Sequence, residues 1–166
     1  MRALLAVFVI VLVAGCGKNR PAPGSWPAQI VGHEGFTDNQ WSDIKGAVDY
    51  LNTGSGKKLV FQEGETGGNY PITFKYVENS ADHTSRAGLA IFDDESCTIE
   101  VSSVVFAIAN HETLIPVINH ELGHCAGLEH DPQQGQVMYR SATSLKAYSS
   151  DSLGRFFQEV LINVGM

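Results

Sequence analysis

Between His120 and His130 the chain reads HELGHCAGLEH, which sets three histidines four and then six residues apart with a glutamate beside the first. On a helix, residues four apart lie one turn above each other on the same face. His120 and His124 therefore project two imidazoles toward one point and can close on a single ion at about 2.0–2.1 Å each. A third ligand six residues beyond His124 is out of reach of a continued helix. Gly127 resolves this, because glycine takes the left-handed conformation that ends a helix and turns the chain back, and that turn places His130. Three neutral imidazoles leave a divalent ion its full charge and one open position, the arrangement of a catalytic zinc site and not of a closed structural one. Glu121 lies about 100° round the helix from His120, beside the open position. Its expected role is general base: it takes a proton from zinc-bound water as that water attacks a polarised carbonyl, then passes it to the leaving amine.

HExxH alone is a weak signal, often no more than an amphipathic helix. The longer pattern fixes five positions, three of them a rare residue, and arises by chance in roughly fewer than one in ten thousand chains of this length. Met138 follows in Val-Met-Tyr, eight residues after His130. Together these residues resemble the metzincin signature of zinc metallopeptidases, HExxHxxGxxH followed by a methionine in a tight turn. Gly123 before the second histidine, the spacing from His130 to Met138 and the direct Met138-Tyr139 pair are most similar to the matrixin branch.

The resemblance implies a zinc endopeptidase acting on protein or peptide substrates. One zinc ion would sit on His120, His124 and His130 over an apolar floor containing Met138, with Glu121 as base. It also implies an antiparallel edge strand that pairs with an extended substrate, a place that Gly88, Leu89 and Ala90 of GLAIF fit; strand addition supplies backbone hydrogen bonds with little demand on side chains. The same stretch also reads as an ordinary core strand. Some positions depart from the pattern. Arg140 stands where astacin- and serralysin-type proteins carry a tyrosine that contacts the metal, so Tyr139 has no expected metal role. The matrixin proline after Met-Tyr is missing, and no propeptide cysteine switch lies between Cys16 and Trp26. Asp131 is a candidate for holding a ligand in place, or a turn residue before Pro132. His111 lacks a second histidine four residues on, and His33 and His83 read as surface-loop residues. The acidic stretches at 93–95 and 63–69 have no recognisable calcium-ligand spacing, so calcium is unsupported.

Several elements must position these residues. Trp41, Ile44, Val48 and Leu51 recur at helical spacing, with Thr37 or Asp38 as cap and Gly54 as stop. A short strand is expected at AQIV, and four more at 58–62, 71–77, 88–92 and 97–104 between Gly-, Asn- and Asp-rich turns. Leu114, Ile118, Leu122 and Cys125 share one stripe, which predicts the active-site helix from about Thr113 to Gly127 provided that Pro116 falls in its first turn. A last helix is expected from about Ser150 to Asn163, capped by Ser149 or Ser150. The order, over residues 28–163, resembles the metzincin one. It implies an α+β fold with a twisted, mostly parallel sheet, an antiparallel edge strand, the active-site helix, the Met-turn and a C-terminal helix.

The composition is compatible with one such domain: 166 residues, 43% hydrophobic. A formal charge of -7 with only 11 Lys and Arg argues against binding to nucleic acid or to an anionic membrane surface. A monomer is expected. Residues 1–15 read as a signal peptide whose apolar run is too short to span a bilayer comfortably. Val-Ala-Gly-Cys at its end resembles the bacterial lipobox, which implies lipidation of Cys16, residues 16–27 as a flexible tether and residues 28–166 as the catalytic domain on a bacterial membrane. Gly17 resembles the outer-membrane address if the cell is Gram-negative. Cys97 and Cys125 are then an even pair in an oxidising compartment, either bonded or two buried thiols. Two rival classes share the motif: a catalytically silent zinc- or partner-binding lipoprotein, against which the retained Glu121 argues, and an amidase acting on cell-wall peptides, which a peptidoglycan digest beside a protein digest separates.

Overall fold

The computed structural model of the chain describes residues 28–54, 62–63, 70–78, 86–108, 111–139 and 150–164. The expectations for residues 1–27, including Cys16, for most of the strand at 58–62, and for His83, Arg140 and Ser149 lie outside the described residues. The elements run β1 (Ala28–Glu34), α1 (Asp38–Gly54), β2 (Gln62–Glu63), β3 (Tyr70–Val77), β4 (Gly88–Phe92), β5 (Cys97–Ser102), α2 (Ser103–Ile108), α3 (His111–Cys125) and α4 (Ser150–Asn163).

The sheet has the order β2-β1-β3-β5-β4. All pairs are parallel except β4 with β5, which is antiparallel and puts β4 at the edge. One face of the sheet is apolar because strand side chains alternate with period two. Tyr70, Ile72 and Phe74 of β3 and Cys97, Ile99 and Val101 of β5 are all at most 1% exposed. Trp41, Ile44, Val48 and Leu51 of α1 and Leu114, Ile118 and Leu122 of α3 complete a single core with them.

Local signals explain the boundaries. Thr37 and Gln40 form a reciprocal cap on α1: Gln40 N–H donates to Thr37 Oγ1 at 3.3 Å, and Thr37 N–H donates to Gln40 Oε1 at 2.9 Å. β1 is longer than the four residues expected, and a register shift between Ile30 and Gly32 lets it continue past the exposed Val31. That extension places His33 in a strand, stacked on Trp41 at 4.1 Å, and not in a loop. β5 stops at Ser102 and not at Val104, because Ser102 Oγ accepts the Val104 N–H at 3.3 Å and the chain turns into α2.

α3 begins at His111, so Pro116 lies inside the helix and not in its first turn as expected. A proline there costs roughly 3 kcal/mol. Leu114, Val117, Ile118 and Leu122, all at most 3% exposed, each return about 1.5–3 kcal/mol on burial, so packing outweighs the lost hydrogen bond. A disulfide joins Cys125, the last residue of α3, to Cys97, the first of β5, with Cα atoms 5.6 Å apart.

Candidate metal centre

α3 carries His120 and His124, and the end of α3 carries the chain to His130. Gly127 has φ of 78°. Its N–H donates to His124 O at 2.8 Å and the Leu128 N–H donates to Gly123 O at 2.9 Å, the paired bonds of a Schellman turn. The reversed chain brings the third ring beside the other two. One ligand atom from each histidine lies within 4.8 Å of the others. His124 Nε2 is 3.2 Å from His120 Nε2 and 3.3 Å from His130 Nε2.

Backbone carbonyls fix the orientation of two rings. His120 Nδ1–H donates to Val137 O and His124 Nδ1–H donates to Leu128 O, each at 2.8 Å. A carbonyl is only an acceptor, so both protons sit on Nδ1 and both Nε2 atoms present bare lone pairs. Burial, and then the neighbouring imidazoles, keep these rings neutral: His120 is pushed down to about 4, and burial lowers His124 as well. Bare lone pairs facing one another at 3.2 Å repel unless a cation lies between them. The two separations from His124 also match the edge of a tetrahedron, about 3.3–3.4 Å for metal–nitrogen bonds of about 2.0–2.1 Å. The donor set fits a divalent ion such as zinc.

The loop after His130 closes on itself where Asp131 N–H donates to Met138 O at 2.8 Å, and this holds Val137 and Met138 under α3. Met138 is buried. A Cβ on Gly123 would run into Met138 Sδ and come within 2.8 Å of Phe156 of α4, so only glycine at 123 lets the Met-turn and α4 press on the helix from below.

Glu121, 6% exposed, points to the edge strand. A Cβ on Gly88 would meet its Cγ and Oε1 at 2.9 Å, and its carboxylate accepts a hydrogen bond from the Ala90 N–H. Burial raises the carboxyl to about 7, against the opposing pull of that N–H and of the Arg86 guanidinium. The structure thus brings Gly88, Ala90, Glu121, the three histidines and Met138 into one neighbourhood. Leu89 is half-buried on the edge strand between Gly88 and Ala90. Sequence reasoning missed the carbonyls of Val137 and Leu128, which no residue type announces. It also missed Arg155, whose ion pair with Glu159 four residues on reads as an ordinary solvated helix face.

A mostly parallel sheet with one antiparallel edge strand, a helix carrying two of three convergent histidines and a methionine turn beneath them are the features of metzincin-type zinc metallopeptidases. An archaemetzincin from Methanopyrus kandleri has a similar structure, with a TM-score of 0.58 over 93% of this chain and 100% of that one at 14% sequence identity. The sequence pattern of the Matrixin family matches residues 37–152, and the chain belongs to that family. No curated protein matches the chain in sequence.

Proposed function

We propose that the chain is a zinc endopeptidase in which His120, His124 and His130 hold one zinc ion and Glu121 is the general base. The observation that carries this reading is the convergence of Nε2 atoms at 3.2 and 3.3 Å while the Nδ1 protons of His120 and His124 are spent on carbonyls. A zinc ion held there supplies Lewis acidity, which polarises a peptide carbonyl and makes water easier to deprotonate at neutral pH.

Glu121 handles the proton. Glu121 follows the ligand His120 directly and is nearly buried beside the three imidazoles, so it is placed to take a proton from the attacking water and deliver it to the amide nitrogen as the C–N bond breaks. The Ala90 N–H holds the carboxylate beside β4. Because β4 ends the sheet order, one of its hydrogen-bonding sides faces away from β5. A substrate laid along that side adds as a further strand and is read mainly through its backbone. Export and lipid anchoring through Cys16 belong to the same proposal, supported by the Cys97–Cys125 disulfide, a bond that persists in oxidising compartments. The protein is expected to act as a monomer.

The test is digestion of an unfolded protein by the zinc-loaded chain, with the products read by mass spectrometry. Cuts inside the substrate that stop with a chelator and return with zinc are the expected result. Intact substrate, or release of terminal residues alone, contradicts an endopeptidase.

A further inference from the structure

α4 meets the metal-binding segment through polar side chains as well as through Phe156. Ser152 Oγ donates to Gly135 O at 3.0 Å, and Asn163 Nδ2 donates to Gly127 O at 3.0 Å. Between these two, Arg155 Nη2 lies 2.8 Å from Oδ2 of Asp131, the residue next to His130. Asp131 is fixed in the turn on several sides. Its Oδ1 accepts the Gln133 N–H at 2.7 Å, its own N–H donates to Met138 O at 2.8 Å, and it forms a parallel bridge with Tyr139. From the same guanidinium, Arg155 Nε donates to Glu159 Oε1 at 2.8 Å. The planar fork of an arginine spans both carboxylates at once, which the point charge of a lysine does less well.

The Asp131 side chain is 10% exposed and that of Arg155 is 48% exposed. An ion pair with one partner half in water adds little to global stability. Its effect is local, because a shift of Asp131 moves the peptide that carries His130. The same shift pulls on Met138 and so on the neighbouring Val137 carbonyl that orients His120.

We infer that Arg155 is a positioning residue for the metal centre: through Asp131 it fixes the backbone that carries His130 and the carbonyl that holds His120. The inference rests on the zinc-site reading above. Groups that orient metal ligands commonly change metal affinity 10–100-fold when removed, and a partner one step further out belongs at the low end of that range.

The test follows zinc release from the zinc-loaded full chain into excess chelator for wild type, Arg155→Met, Arg155→Lys and Asp131→Asn, with melting of each metal-free form measured alongside. Release from Arg155→Met and Asp131→Asn should be about tenfold faster. Arg155→Lys should recover part of that loss, because it restores a charge facing Asp131. Metal-free melting temperatures should stay within about 2 °C of wild type, as befits a half-exposed pair. At 1 M salt, where the screening length falls to about 3 Å, wild-type release should accelerate toward that of Arg155→Met while the variant changes little. Equal release from wild type and both neutral variants overturns the inference, and so does faster release that merely tracks a fall in metal-free stability. A wild-type chain that holds no zinc overturns the zinc-site reading itself, before any variant is compared.

Discussion

A side chain at position 88 would occupy the space now filled by Glu121, since a Cβ there would sit 2.9 Å from its Cγ and Oε1. The carboxylate is the mobile end of a side chain, so it is the part that gives way. Gly88→Ala is therefore expected to displace the proposed base while leaving the core intact. A misplacement near 1 Å at a reacting group costs on the order of 100-fold, so kcat should fall about 10- to 100-fold with little change in melting temperature. Steady-state kinetics beside thermal melting checks this, and unchanged kcat would mean that Glu121 is not held by its contact with β4. Gly123 shows the complementary case. Its missing Cβ admits Met138 and Phe156, both buried, so its role is to let the floor close under His120 and His124.

At the scale of elements, the site depends on how α3 is anchored at its end. Cys125 follows His124 directly, and its disulfide to Cys97 closes a separation of 28 residues. Loop-closure entropy assigns such a bond about 3–4 kcal/mol. Replacing both cysteines by alanine should lower unfolding stability by about 2–4 kcal/mol in chemical denaturation, and a loss well under 1 kcal/mol would show that packing alone fixes the helix end. The sequence left this pair open because spacing carries no distance, whereas the capping residues of α1 and the GLAIF strand were legible from local patterns. Pro116 misled for a related reason. Its cost is local and visible in the sequence, while the burial that outweighs it belongs to the tertiary structure. In the site, the three histidines and Glu121 could be read because imidazole and carboxylate have their own chemistry, and Gly127 because glycine alone takes the left-handed turn easily. The carbonyls of Val137 and Leu128 and the Ala90 N–H could not, since every residue carries such groups and only the fold selects these.

At the scale of the molecule, the site draws on three parts of the chain that lie far apart in sequence. β4 supplies Gly88 and Ala90, α3 with the turn and loop that follow it supplies the histidines, Glu121 and Met138, and α4 supplies Phe156 and Arg155. A single core brings them together, because α1 and α3 share the apolar face of one sheet and β4 is the edge strand against which α3 rests. The central claim is that this assembly hydrolyses peptide bonds with Glu121 moving the proton. It is tested most directly by casein cleavage, comparing the zinc-loaded chain with Glu121→Ala at equal zinc content. The account predicts cleavage by the first and a rate about 10²- to 10⁴-fold lower in the second, with zinc retained by both. Full activity in Glu121→Ala would contradict it.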